Sequence, residues 1–331
     1  MIKNNENYKG KLKVNEDGIR IDIYLQSNFN QFSRTKIKDF INSSNILVNN
    51  FSVRPSYKLK LDDIISYNFV YSDDIENIKP INMDLNVIYE DSYIIVIDKP
   101  SGLVVHPGNG TSDNTLANGL IYHFSKLSSV NEHRPGIVHR LDKETSGIII
   151  IAKDDDTHRK LSSQFENRTI KKTYRAIVWG KIKKSGTING YIDRDRKNRT
   201  TFILNNFEKG RYSESYFKRI NYLNPMSYVE INPKTGRTHQ IRVHLKSISN
   251  PILCDCAYSG GDDNIKSFHM KHNSILKQLI KSMGRVALHA YAIEFLHPNT
   301  NKIVKFESQI PEDFKNTLNI LEKYQNDTQT N

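Results

Sequence analysis

Asp142 is the carboxylate best placed in this sequence to do chemistry. Arg140 lies two residues before it and Lys143 directly after it, within Gly136-Ile-Val-His-Arg-Leu-Asp-Lys-Glu-Thr-Ser-Gly147. Flanking cations favour the ionised form of a carboxyl, which suits a nucleophile or base and not a general acid. The same loop also reads as a turn in which Asp142 caps the backbone beside Thr145 and Ser146. On the loop alone the capping reading comes first, and the rest of the chain has to overturn it. Ile148-Ile-Ile-Ile-Ala-Lys153 is a short, β-branched apolar run of the kind that forms a strand buried on both faces. A loop anchored to such a strand can hold a reacting group accurately.

The chain has 331 residues, which suggests two domains, and 37% hydrophobic with 10% aromatic content suffices for their cores. A net charge of +12 points to a polyanionic partner or to a solvated basic surface. The surplus is uneven: residues 1–80 carry 12 Lys/Arg against 10 Asp/Glu, and residues 81–331 carry 36 against 26. Most of the basic excess therefore accompanies Asp142. The two cysteines, Cys254 and Cys256, are too close along an extended segment for an unstrained disulfide. With His269 or His289 they could be imagined around zinc, but no second pair at ligand spacing exists, so no metal is expected. A reducing cytoplasm fits this cysteine usage. No apolar run reaches the roughly 18–20 residues of a membrane-spanning helix, and Met1-Ile-Lys-Asn-Asn5 lacks a signal-peptide core. A soluble, cytoplasmic protein is expected.

Residues 1–17 are polar and read as a flexible N-terminus. Arg20-Ile-Asp-Ile-Tyr-Leu25 reads as a short helix, and Ser33 can cap a second one running to about Ser43. On that second helix Ile37 and Ile41 share the inward face, while Arg34 and Lys38 face outward together. Ile46-Leu-Val48, a turn at Asn49-Asn50 and the alternating Lys58-Leu-Lys-Leu61 suggest a hairpin. Residues 72–82 are polar and acidic with one proline, and read as a linker.

Beyond it, 87–89 and 93–98 read as paired strands around Glu90-Asp91-Ser92. The loop holding Pro100, Pro107, Gly102, Gly108 and Gly110 lacks the Gly-Lys-Ser/Thr ending of a phosphate-cradling P-loop. Helices are expected over 115–127 and 154–168, the latter opened by Asp154-Asp155-Asp156, with a strand over 171–179. Residues 181–219 are basic and weakly patterned, consistent with a hairpin or a mobile loop. Tyr228–Ile231 reads as a strand and His239–His244 as a helix start, whereas 266–283 reads as a polar helical insertion. Residues 285–295 return to the sheet, and the last twenty form a helix and tail. Hairpins with helices between them indicate an α+β domain around a mainly antiparallel sheet.

Four stretches, in order along the chain, carry a family resemblance. His139-Arg-Leu-Asp142 with Thr145-Ser-Gly147 resembles the signature of the RluA/RluD-type pseudouridine synthases. Asp98-Lys-Pro-Ser-Gly-Leu-Val-Val-His-Pro-Gly-Asn-Gly110, Lys172-Thr-Tyr-Arg-Ala176 and Thr235-Gly-Arg-Thr-His-Gln-Ile-Arg-Val-His244 are similar to its other motifs. The likeness spans about residues 18–312. The helix–helix–hairpin before the linker looks like the RNA-binding domain named after the fourth small-subunit ribosomal protein. One segment departs: where the family usually reads Gly-Asp-x-x-Tyr-Gly, this chain has Cys254-Asp-Cys-Ala-Tyr-Ser259, which bears on local packing near the site.

The resemblance implies a small α/β RNA-binding domain over 18–71 and a linker over 72–82. A catalytic domain follows over 83–312, built on a mainly antiparallel mixed β-sheet with flanking helices, before a C-terminal helix and tail over 313–331. It implies isomerisation of uridine to pseudouridine: the glycosidic bond breaks, the uracil turns, and a carbon–carbon bond forms. That chemistry is redox-neutral and consumes no water, so no cofactor and no metal are expected. Most glycoside hydrolases need two carboxylates, whereas here only Asp142 lies in a signature. Whether Asp142 attacks the sugar or the base, or removes a ribose proton, stays open. The target base must leave its stack, at a cost of about a few kcal/mol. The resemblance has Arg140 fill the vacated space, Tyr174 lie against the flipped base, and Arg242 pair with Asp142. Arg237 and His239 are then supporting or phosphate contacts, and Arg34 and Lys38 phosphate contacts on the N-terminal domain. The basic stretch 181–219 would touch RNA backbone, and His106 and His139 are expected to be structural hydrogen bonders. The implied partner is RNA, foremost large-subunit ribosomal RNA. A transfer-RNA-directed synthase and a non-catalytic RNA-binding assembly factor are the alternatives. A monomer is expected.

Overall fold

A computed structural model describes residues 5–329 except 30, 31, 33, 73–77, 109–112, 132, 133 and 269. The cap assigned to Ser33, residues 73–77 of the linker and His269 lie outside the described residues. The chain divides into two units that meet between Asn77 and Ile78.

The first unit runs β1 (Asn5–Lys13), α1 (Ile21–Asn28), α2 (Arg34–Asn42), β2 (Ile46–Val48) and β3 (Ile64–Ser72), with sheet order β1-β3-β2. Within the stretch 1–17 expected to be flexible, the expectation is corrected over Asn5–Lys13 by β1, which pairs antiparallel with β3 along its length. Half-buried Tyr8 and Leu12 alternate there with exposed Lys9, Lys11 and Lys13, a period-two face that a majority of polar residues conceals. Ile37 and Ile41 of α2 are buried in a core with Ile21, Leu25 and a stacked Phe40–Phe69 pair. Arg34 and Lys38 do lie on the outer face, but their charged heads converge with Arg20 on the fully buried carboxylate of Asp22, at 2.9, 3.8 and 3.0 Å. Burial raises the Asp22 pKa, and hydrogen bonds from Arg20 and Arg34 outweigh that, so it is lowered overall.

The second unit opens with β4 (Val87–Glu90), β5 (Ile94–Lys99), α3 (Leu116–His123), β6 (Ser146–Ala152) and α4 (Asp155–Glu166). It continues through β7 (Lys171–Trp179), β8 (Ser185–Arg194), β9 (Phe202–Asn205), β10 (Arg211–Leu223), β11 (Met226–Pro233) and α5 (Gln240–Ser247). Last come α6 (Asn273–Met283), β12 (Leu288–Leu296), β13 (Ile303–Glu307) and α7 (Glu312–Gln329). The sheet order is β4-β5-β6-β12-β7-β11-β10-β8-β9, with β13 beside β12. Every pairing is antiparallel except β6 with β12.

Strand β6 is buried over all seven residues. Ile148 and Ile150 pack with Leu161 and Phe295 on one face, and Ile149 and Ile151 pack with Leu116 and Leu120 on the other. Each such side chain contributes roughly 1.5–3 kcal/mol by leaving water. At the parallel seam Gly147 has φ +110°, and a β-carbon there would collide with the Ala290 carbonyl, so the close approach requires glycine.

One expectation is decided and another corrected in this unit. Of the two readings of 181–219 the hairpin holds, because β8 pairs antiparallel with both β9 and β10. Buried Ser213, Ser215 and Phe217 alternate with charged or tyrosine neighbours, so serine in the core face hides the period. The stretch 266–283 is no polar insertion: Ile275, Leu276, Leu279 and Met283 bury one face of α6 in the main core with Phe314 and Leu321 of α7. Strand β13 had no sequence expectation. No helix among the described residues is long and apolar enough to cross a membrane.

Candidate active site

Asp142 sits on the loop leading into β6, and two neighbouring carbonyls anchor that loop from below. The Lys143 carbonyl accepts from Gly102 N–H (2.8 Å) and Lys99 Nζ (3.2 Å), and the Glu144 carbonyl from Ser101 Oγ (2.7 Å) and Arg285 Nη1 (3.5 Å). Lys99 is fully buried and also donates to the Pro100 and Leu103 carbonyls, at 2.8 and 2.9 Å. Burial pushes its pKa down to about 8, against the pull of Glu144. Arg285 is held in turn by a two-point pair with Asp313 of α7, at 2.6 and 3.0 Å. The turn is closed by the Thr145 N–H on the Asp142 carbonyl at 3.1 Å. The carboxylate is therefore free of the capping role and faces Arg242 and His239.

The cation that meets Asp142 comes from a hundred residues away. Arg242 Nη1 lies 3.4 Å from Asp142 Oδ2. Arg140 and Lys143, expected to supply this charge, are exposed and form no ion pair with Asp142 among the described residues. Arg242 is aimed by Asp255, which takes its Nε and Nη2 at 2.7 and 2.8 Å and is completely buried. Burial works against the Arg242 charge, but the hydrogen bonds and charge of Asp255 prevail and raise its pKa. Behind the guanidinium, the ring centroid of Tyr258 is 4.8 Å away.

Helix α5 is fixed by its preceding motif. Thr235 Oγ1 donates to Gln240 Oε1 (2.6 Å), and Gln240 Nε2 donates to the Glu214 carbonyl and Ser215 Oγ, both at 2.9 Å. The Arg237 N–H also donates to Gln240 Oε1 at 3.0 Å, and the Arg237 side chain reaches the Tyr212 carbonyl at 3.1 Å. His239 caps the helix in the left-handed region, φ 54°, with Nε2 3.9 Å from Asp142 Oδ2.

These residues surround a cavity of about 560 Å³, lined by Arg140, Asp142, Lys172, Tyr174, Arg237 and His239 among others. Such a volume is in the range of small-ligand sites. Tyr174 projects from β7, and its hydroxyl meets no hydrogen-bond partner among the described residues. Burial, and then the Asp142 charge, push its pKa above the usual tyrosine value, so it stays protonated. Among the described residues the Lys172 ammonium has only a 3.5 Å contact to the Thr235 carbonyl, and burial lowers its pKa to about 8. His139 accepts from the Ile150 N–H at 2.9 Å beside Phe165, and burial drives its pKa down to about 3, as suits a structural group. His106 corrects its expectation, since its buried Nδ1 has no hydrogen-bond partner among the described residues.

Sequence reasoning assembled Asp142, Tyr174, Arg242, Arg140, Arg237 and His239 at one cavity, while Arg34 and Lys38 belong to the first unit. It missed Lys172, Asp255 and Tyr258. The latter two stand in Cys254-Asp-Cys-Ala-Tyr-Ser259, the segment set aside for its altered ends, yet they match the Asp and Tyr of the family pattern. Cys254 and Cys256 are free thiols, and no group of three or more His, Cys, Asp or Glu could hold a metal among the described residues.

The fold is shared with human RNA pseudouridylate synthase domain containing 4, which superposes with TM-score 0.54 at 23% identity, covering 72% of this chain and 93% of that one. Residues 93–247, which hold Asp142, Tyr174 and Arg242, match the family described as RNA pseudouridylate synthase. An uncharacterised RNA pseudouridine synthase of Aquifex aeolicus is 37% identical over 318 residues, 95% of this chain and 97% of its own. The ribosomal large subunit pseudouridine synthase D of Blochmanniella floridana is 36% identical over 319 residues, 95% and 98% respectively. The chain belongs to the RNA pseudouridine synthase family and is an isomerase that acts on RNA.

Proposed function

We propose that this enzyme isomerises specific uridines of large-subunit ribosomal RNA, with Asp142 as the essential carboxylate on a flipped-out uridine. One observation carries the reading: Asp142, its Arg242 partner and the unpartnered Tyr174 hydroxyl face one cavity of about 560 Å³. Arg242 keeps negative charge on Asp142 favourable and fixes one carboxylate oxygen. Tyr174 offers the uracil a ring to stack on and a protonated hydroxyl that can relay a proton. Arg140, exposed at the cavity, occupies the place the flipped base leaves, and Arg237 and Lys172 meet flanking phosphates or the base. The relatives named for the large subunit support the substrate class. Residues 18–71 act as an RNA-capturing domain with Arg34 and Lys38 on phosphate, joined by the 72–82 linker to the catalytic part, and the enzyme works as a cytoplasmic monomer.

Pseudouridine mapping of total RNA from cells with and without the protein tests the substrate. Sites lost from large-subunit RNA are expected; sites lost only from transfer RNA would refute it. Asp142→Asn is expected to abolish turnover and keep RNA affinity within about tenfold, because the isostere retains shape and loses charge. Pseudouridine formed by that variant above a no-enzyme control would remove Asp142 from its role.

A further inference from the structure

We propose that Tyr258 and His239 are positioning residues for Asp142: the Tyr258 hydroxyl donates to His239 Nδ1, which fixes the imidazole proton on Nε2, where it faces Asp142 Oδ2. This rests on the reading of Asp142 as the reacting carboxylate.

One arrangement gives the Tyr258 hydroxyl both a donor to accept from and an acceptor for its proton. The Phe202 N–H donates to Tyr258 Oη at 3.0 Å, so that oxygen already serves as an acceptor. Its single proton is then directed to His239 Nδ1, 2.8 Å away. A ring nitrogen that accepts cannot carry a proton, and a neutral imidazole must then carry it on Nε2. Burial keeps the imidazole neutral, with Arg242 and Arg140 acting in the same sense and Asp142 and Asp255 opposing them. Tyr258 is fully buried, and the imidazole is held edge-on between the rings of Phe202 and Tyr258, each centroid 5.6 Å away. The left-handed backbone of His239 is an uncommon conformation for a residue with a β-carbon, and it turns the ring toward the cavity.

The outcome concerns one oxygen. Arg242 Nη1 at 3.4 Å and His239 Nε2 at 3.9 Å both address Asp142 Oδ2, leaving Oδ1 without a contact among the described residues. Distances of this length are usual before substrate binds and shorten in the complex. Oδ2 is the anchored oxygen and Oδ1 the one offered to the nucleotide. With the proton on Nδ1, a lone pair on Nε2 would instead repel Oδ2 and let the carboxylate rotate.

Two measurements test this. Long-range ¹H–¹⁵N spectra of histidine-labelled protein report which nitrogen of His239 is protonated. Nε2–H is expected in the unaltered enzyme, and a proton on Nδ1 would overturn the proposal with no variant needed. Tyr258→Phe keeps the ring and removes the hydroxyl. It is expected to lose the single tautomer and lower kcat on a saturating stem-loop by about 10–100-fold, at unchanged RNA Kd. The double variant with His239→Ala should be no slower than His239→Ala alone. Full kcat in Tyr258→Phe, or additive losses in the double variant, would refute the link. Activity in Asp142→Asn would instead sink the assignment of the carboxylate, an outcome the tautomer measurement does not share.

Discussion

At the scale of single residues, the site uses one carboxylate to hold another's partner. Asp255 occupies two of the donors of Arg242, and only the third edge of the guanidinium is left for Asp142. Breaking a buried pair strands a charge, at about 3–5 kcal/mol. Asp255→Ala should therefore lower the unfolding midpoint and, in protein that stays folded, cut turnover by freeing Arg242 to swing. Unchanged thermal stability and turnover would show that Arg242 needs no such brace. Asp142 and Arg242 were legible in the sequence because each lies in a motif with a distinctive spacing. Their dependence on Asp255 was not, because a bidentate contact across 13 residues of turn and loop leaves no periodic trace. The charge beside Asp142 was legible only through the resemblance: sequence adjacency favoured Arg140 and Lys143, the family motif named Arg242, and the fold brings Arg242 to the carboxylate.

At the scale of elements, the strand after Asp142 could be read directly, since a run of isoleucines has few other places to go. Elements whose buried face mixes in serine or glycine, such as β10 and β1, were concealed, and α6 was masked by the lysines on its outer face. The segment carrying Asp255 and Tyr258 shows a further cost of its altered ends. Cys254 and Ser259, where the family pattern has glycine, both sit at φ 65°, in the left-handed region. That conformation costs a residue with a β-carbon roughly 1–2 kcal/mol. Ser259 is exposed, so Ser259→Gly forfeits little packing. It should raise stability by about 0.5–1 kcal/mol, after allowing for glycine's greater freedom when unfolded. A denaturant titration decides this, and a destabilised variant would mean the serine side chain contributes more than its exposure suggests.

At the scale of the whole molecule, two expectations concern stability and division of labour. His244 and His289 are 1% and 0% exposed, and burial lowers both pKa values to about 4. An unfolded histidine takes up its proton near pH 6.5, whereas these stay neutral in the native state. Their stability contribution is thus intact above pH 6.5 and lost as pH falls toward 4, up to about 3 kcal/mol for each. Urea unfolding at pH 7 and pH 5 should show the drop, and His289→Asn should lessen it; an equal midpoint at both pH values would contradict the burial argument. Separately, a chain restricted to residues 78–331 keeps the entire cavity. It should retain turnover on a short stem-loop at saturation, bind long transcripts more weakly, and show a salt slope reduced by about 0.7–0.9 per lost phosphate contact. Equal loss of turnover on both substrates would mean that the first unit helps to build the site.

The clamp between Arg285 and Asp313 ties the Asp142 loop to the order in which the protein is made. Synthesis proceeds from the N-terminus, so a chain extended only to Ser308 already holds Asp142, Tyr174 and Arg242 but not Asp313. Arg285, only 10% exposed, would then lie beneath the Glu144 carbonyl with its charge uncompensated. Of the four donors beneath the Asp142 loop, three are in place from earlier segments, and the fourth gains its counter-charge only once α7 has docked.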